Sequence, residues 1–267
     1  VTSSDTAGQL PAGHRLVTFA TRPDLIRPCG DFNSVVWAEF MLHDRVANDH
    51  WHHMEQSWPE LQLVLLDADD TIVATGCASP LVWDGTDDGL PGGWDDQLLR
   101  AVADHEARRV ADTLGAIQIV VDPARQGSGV AAVMIQGMRA LARERRMRAV
   151  IACVRPTWKE RYPLTPVERY ATWRREDGLP FDPWIRLHER LGGRVTHASP
   201  RSMTIEGTVA EWESWTGMAY PESGDYVVPG AASVVTMDRD ADLGTYHDPN
   251  VWIIHDLTGE TPADTAT

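Results

Sequence analysis

Residues 125–131 read Arg-Gln-Gly-Ser-Gly-Val-Ala, between a β-branched run ending in Val120-Val121-Asp122-Pro123 and a helical pattern that starts at Val130. Glycines let the chain turn without a Cβ clash. A helix that begins at once points its first unpaired N–H groups, and the positive end of its dipole, into that turn. The chemistry on offer is anion binding: Gly127 and Gly129 admit a phosphate close to the backbone, and Arg125 adds a charge-assisted donor. The same glycines would serve an ordinary tight connection. Other glycine-loop chemistries fail on particular residues. No Gly-Lys-Ser/Thr closes the loop, Ala132 stands where a dinucleotide fingerprint needs a third glycine, and Gln126 stands where a hydrolase elbow around Ser128 needs one.

Histidines form the second group with chemical capacity. His43, His50, His52 and His53 gather around Trp51, and on a helix His50 and His53 share a face. No cysteine or ligating pair of recognised spacing accompanies them, and His105-Glu106 lacks the second histidine of a zinc-protease helix, so no metal is expected. A role in an acceptor pocket and a solvated helix face both stay open, with Asp49 and Glu55 as orienting partners. His188 stands apart on a segment that Asp182 caps and Pro183 opens. A histidine there can donate a proton near neutral pH or simply sit on a half-exposed helix.

The elements that must position these groups alternate. Residues 15–20 predict a strand, 31–54 a helical segment, and 61–66 and 71–78 a hairpin closed by three aspartates. Residues 84–93 predict a loop and 97–114 a helix. Strand 116–121, the glycine turn, helix 130–145 and strand 149–154 then make one βαβ unit. Helices near 166–176 and 183–191 and a strand near 194–205 follow. The fold class is α/β or α+β with a mixed sheet.

Val-Asp-Pro followed by Gln126-x-x-Gly129-x-Ala131 at the head of a helix resembles the acyl-coenzyme A pyrophosphate loop of the GNAT acyltransferase superfamily. The resemblance spans residues 15–206 in element order, and its specific signal lies at 117–154. It implies a mostly antiparallel sheet with a splayed strand pair, flanked by helices. Backbone amides of Gln126, Gly127, Ser128, Gly129, Val130 and Ala131 would hold the pyrophosphate of acetyl-CoA or another acyl-CoA, with Arg125 assisting. A backbone N–H near Val120 and Val121 would polarise the thioester carbonyl. In the family, a late helix carries a tyrosine four residues before a glycine and protonates the departing thiolate; here His188 holds that place before Gly192. This histidine, the Asp-Pro before it and the loop at 155–159 also resemble a GNAT-like subgroup that includes curacin-type polyketide loading domains. That likeness makes Thr157 or Thr165 a candidate beside His188. The insertion at 155–176, with Trp158, Tyr162, Tyr170 and Trp173, would shape the acceptor or acyl pocket together with His50 and His53.

Composition sets the limits. The chain has 267 residues, 43% of them apolar, and a formal charge of −15, which suits one large folded unit and disfavours anionic lipid and nucleic acid. Arginines at 143–148 keep a tRNA-borne donor open. No apolar run is long enough to span a bilayer, the first residues lack the regions of a secretory leader, and Cys29, Cys77 and Cys153 imply no disulfide framework. The expectation is a soluble, cytoplasmic enzyme that moves an acyl group to a small-molecule amine by direct attack, with no covalent enzyme intermediate, in a biosynthetic setting. Malonyl-thioester decarboxylation with S-acyl transfer, amide formation from an aminoacyl-tRNA, and a non-catalytic acyl-CoA-binding module are the alternatives. The expected boundaries are a flexible 1–12, an acyltransferase domain over 13–206, an extension over 207–256 packed on the domain or on a dimer mate, and a flexible 257–267.

Overall fold

Leu63–Leu66 (β2) is buried on both faces, as an interior strand must be, and pairs antiparallel with Arg15–Thr18 (β1) and Ile72–Leu81 (β3). The β2–β3 hairpin closes as expected, because the Asp67 carboxylate accepts the N–H groups of Asp69 and Thr71, each at 3.0 Å. This computed structural model describes residues 10–259. The ends expected to be flexible, 1–12 and 257–267, lie mostly outside the described residues, but Leu257 is buried and donates to the Arg148 carbonyl at 2.8 Å.

The helical segment expected at 31–54 is broken into α1 (Ile26–Ser34), a short turn at Glu39–His43, α2 (Arg45–His50) and α3 (His52–Gln56). Asp44 makes the break by capping α2, accepting the Ala47 N–H at 2.7 Å. The helix expected at 97–114 is α4 (Trp94–Glu106); Arg108 is left-handed (φ 52°), and β4 (Thr113–Val121) already begins three residues before the expected strand. Next come α5 (Val130–Glu144), β5 (Ala149–Val154), α6 (Val167–Tyr170, shorter than expected), α7 (Pro183–Arg190), β6 (Arg194–Gly207), α8 (Val209–Thr216), β7 (Gly224–Tyr226), β8 (Val235–Asp238) and β9 (Leu243–Asp256).

The strands form one sheet in the order β1-β2-β3-β4-β5-β9-β8-β7, with β6 on the other edge of β9. Only β4 and β5 pair in parallel, so the sheet is mixed and mostly antiparallel. The segment after residue 207 does more than cover the domain. Its last strand, β9, bonds β5 from Ala149↔Asp256 to Val154↔Val251, bonds β8 farther back along the same edge, and bonds β6 along the opposite edge. Helices α5 and α7 cover one face and α1–α4 the other. A Cβ on Gly76 would meet Met134 and Met138 of α5, whereas one on Gly115 would meet Gln97 of α4.

Candidate active site

β4 and β5 part company midway. Their parallel pairing runs from Thr113↔Ala149 to Ala116↔Ala152 and stops, while β4 continues to Val121 bonded only to β3. The parting begins at a bulge: Gln118 opposes Cys77 and Ala116 opposes Ala78, leaving Ile117 as the extra residue. Two side chains of α4 hold the bulged backbone. The Trp94 indole donates to the Ile117 carbonyl at 2.7 Å, and the Gln97 amide donates to the Ala116 carbonyl at 3.2 Å. Val120 and Val121 lie in the stretch that has left β5, opposite Thr75 and Ala74 on β3.

The glycine turn lies beyond the end of β4. Asp122 caps a short turn at Pro123–Arg125 by accepting the Ala124 N–H at 2.9 Å. Gly127 (φ 77°) and Gly129 (φ 89°) are left-handed, and a Cβ at either would meet open space. Gly129 is the N-cap of α5 and brings no side chain to it, and no other side chain caps that helix. The first N–H groups of α5 therefore open onto an exposed loop that leaves room for an anion. Gln126 and Ser128 are exposed there, and the Ser128 hydroxyl donates back to the Arg125 carbonyl at 2.5 Å. Arg125 reaches the Asp67 carboxylate at 3.8 Å, so it borders the loop from the β2–β3 hairpin side.

Asp182 ties the insertion to α7. Its buried carboxylate accepts the N–H groups of Trp184 (2.9 Å), Ile185 (3.3 Å), Thr157 (3.3 Å) and Trp158 (2.8 Å) and the Tyr170 hydroxyl (2.8 Å). Thr157 is thereby held at an exposed loop position. Thr165 sits farther along, donating its N–H to the Tyr162 carbonyl at 3.0 Å. Trp158 and Tyr162 pack edge-on against Phe181, with ring centroids at 5.5 and 5.8 Å, and Tyr170 and Trp173 join the same aromatic group.

His188 lies elsewhere. It is 3% exposed, and its Nδ1 is 2.9 Å from Nε2 of His255 on β9. Burial, and then the facing His255, holds its pKa well below the usual imidazole value; burial likewise pulls His255 down to about 4. Both rings are neutral at physiological pH, which removes the ready imidazolium that an exposed helix histidine would offer. No hydrogen bond among the described residues joins His188 to Thr157.

The early histidines are also drawn away from the splay. His53 bonds Ser57 at 2.9 Å and packs beside Trp58 (5.3 Å) and His105 (5.8 Å), in the last turn of α4, whereas Trp94 at the first turn reaches the bulge. His50 stands 6.2 Å from His53, ring to ring. No group of three ligating side chains placed to hold a metal occurs among the described residues.

What faces the splay from the α4 side was not anticipated from the sequence. The Ser202 hydroxyl lies 3.1 Å from Cys153 Sγ on β5 and accepts the Trp94 N–H at 2.8 Å, fixing the start of α4 to the splayed strand. Asp95 follows directly. Its Oδ2 accepts the Thr204 N–H at 3.0 Å, while its Oδ1 is buried and has no donor. Asp44, fully buried, lies within hydrogen-bonding reach of Asp95, and its Oδ2 also lacks a donor. Burial, and then the Asp44 charge, pushes Asp95 up to about 8; burial also raises Asp44. A third acid, Asp248, is satisfied. Arg155, one residue beyond β5, donates to it at 2.8 Å, the Tyr246 hydroxyl donates at 2.5 Å, and the Asn250 amide completes its shell at 2.8 Å. The only signal for Asp44 and Asp95 lay in their places at helix starts, which marks a cap and says nothing of their meeting.

No family model matches the chain. Over 93% of its length it is 31% identical to the arginine N-acetyltransferase avaD of Aspergillus versicolor, covering 96% of that protein. In fold it is similar to the loading GNATL domain of CurA from Lyngbya majuscula (TM-score 0.57, 15% identity, 91% of this chain and 98% of that one). It is also similar to the GphF GNAT-like decarboxylase in complex with isobutyryl-CoA (TM-score 0.52, 18% identity, 91% and 98%). A sheet splayed at a bulge, an uncapped helix start beyond it and a close relative of this kind define one class: the chain belongs to the GNAT superfamily. It is a GNAT-type acyltransferase that takes its acyl group from a coenzyme A thioester.

Proposed function

We propose that the chain is an N-acetyltransferase whose acceptor is a small amine carrying a positive charge, arginine or a close analogue. The observation that carries this reading is the Asp44–Asp95 pair beside the splayed strands, two buried carboxyls with no cation within ion-pair distance among the described residues. The relative named an arginine N-acetyltransferase supports it.

The pyrophosphate would rest on the open amides of residues 126–131, with Arg125 swinging from Asp67 to assist. The pantetheine arm would pass through the gap between β4 and β5, and the thioester carbonyl would meet the backbone near Val120 and Val121. The acceptor nitrogen, deprotonated, attacks the carbonyl carbon. The C–S bond breaks with its electron pair leaving on sulfur, and the proton lost from nitrogen ends on the thiol. His188, at the position where the family pattern has the acid, would give its N–H proton to the sulfur as its ring takes up the proton lost from the acceptor nitrogen, so that it ends neutral beside His255. Thr157, Trp158 and Tyr162 would border the acyl or acceptor entrance, and His50 and His53 an outer rim. A soluble, cytoplasmic, biosynthetic setting completes the reading.

Thiol release from acetyl-CoA, followed across a panel of amines, tests it. Arginine should drive release in the wild type. Gly129→Trp should weaken acetyl-CoA binding by at least ~10-fold by filling the loop, and His188→Ala should lower turnover with donor binding kept. Release that ignores every cationic amine, or equal acetyl-CoA affinity in Gly129→Trp, removes the proposal.

A further inference from the structure

Among the acidic groups near the splay, two are in electrostatic debt and one is not. Asp248 has Arg155, Tyr246 and Asn250 around it. Asp44 and Asp95 face one another with backbone donors alone, the N–H groups of Ala47 and Val46 on Asp44 and of Thr204 on Asp95, and with Asp248 as a further negative neighbour. Each also keeps one buried oxygen that no donor among the described residues reaches. Two carboxyls so placed hold a proton between them when nothing else is present. Their remaining need is a cation that brings several N–H groups in a plane, which a guanidinium supplies and a lone hydroxyl or water does not. Asp44 is fully buried and Asp95 keeps a partly exposed edge, so a ligand would enter past Asp95 and meet Asp44 behind it.

We infer that Asp44 and Asp95 are the receptor for the guanidinium of the acceptor, whose charge replaces the proton the two carboxyls otherwise share. This deepens the function proposed above and rests on it. Entry of the cation expels one proton to solvent, and the pair then stands as two carboxylates around one guanidinium. The start of α4 carries this receptor and, through Trp94, also grips the bulge of β4. Acceptor recognition and thioester placement thus share one helical turn.

The test is calorimetric titration of L-arginine into the protein saturated with coenzyme A, at pH 7 in two buffers of different ionisation enthalpy. The expected result is binding with release of about one proton, and L-citrulline, which has a neutral urea in place of the guanidinium, binding about 30-fold or more weaker. Asp95→Asn and Asp44→Asn should each weaken arginine by a similar factor and abolish the proton release, with acetyl-CoA affinity kept. Arginine binding without proton release in the wild type, which needs no variant to fold, overturns the inference; so does citrulline binding as tightly, absence of arginine binding, or unchanged affinity in both variants. The two proposals fail separately. Thiol release with arginine in the wild type but no effect of either aspartate sinks only the receptor, whereas arginine binding with proton release and no thiol release from any amine sinks the acetyltransferase.

Discussion

Replacing Asp95 by asparagine should stabilise the protein, and by an amount that grows with pH. The ordinary Asp value is 3.8, and the folded chain holds Asp95 at about 8 through burial and the charges of Asp44 and Asp248. A carboxyl raised on folding supports the folded state below the unfolded value and loses that support as pH climbs to the folded value, here from about 4 to about 8. At ~1.4 kcal/mol per decade the ceiling is roughly 5–6 kcal/mol. Asp95 keeps an edge in water and Asp44 carries part of the strain, which brings the expected difference to ~2–3 kcal/mol. Asparagine also offers Asp44 Oδ2 an N–H donor that it now lacks. Thermal unfolding of wild type and Asp95→Asn between pH 4.5 and 8.5 is the assay. The two melting curves should nearly coincide at the acid end and separate by ~5–10 °C at the alkaline end, the variant higher. A constant gap, or a wild type that gains on the variant as pH rises, would refute the reasoning.

Two further outcomes follow from buried groups on the other face. Asp182→Ala leaves four N–H groups and the Tyr170 hydroxyl without their acceptor, and should lower stability by roughly 3–5 kcal/mol in urea unfolding; a loss below ~1 kcal/mol would show that water replaces the carboxylate freely. For His255, lowered from 6.5 to about 4, the neutral folded ring supports stability above pH 6.5 and forfeits about 2 kcal/mol by pH 5. Imidazole nitrogen NMR should find both His188 and His255 neutral at pH 6, and titration of either near 6.5 would contradict the buried pair.

The parts of this molecule that local chemistry dictates were legible in its residues. Gly127 and Gly129 mark a turn that only small residues make comfortably, and the helix after it declares itself by its apolar stripe. The βαβ unit, the Asp182 cap and the β2–β3 hairpin are local in the same sense. Periodicity misplaces elements where a single residue stops a pattern, as Asp44 and Arg108 do, because it averages over several positions. Asp44 and Asp95 were invisible for another reason: they are fifty-one residues apart and meet only after α2 and α4 pack. His188 stands out in the sequence, but its partner lies on β9, sixty-seven residues later. Burial by a distant strand, which no local window reveals, turns it from a half-exposed proton donor into a neutral core group.

β9 is the last strand of the described chain, and three others, β5, β6 and β8, wait for it. On a ribosome, everything through β8 can emerge while β5 still presents a bare edge and β6 has no neighbour at all. His255, Asn250 and Asp248 arrive only with that strand, so neither the imidazole pair nor the anchoring of Arg155 exists in a nascent chain. Competence for chemistry is thus withheld until β9 has been made, and a chain cut short before residue 243 would be left with an open, adhesive sheet margin in place of an enzyme.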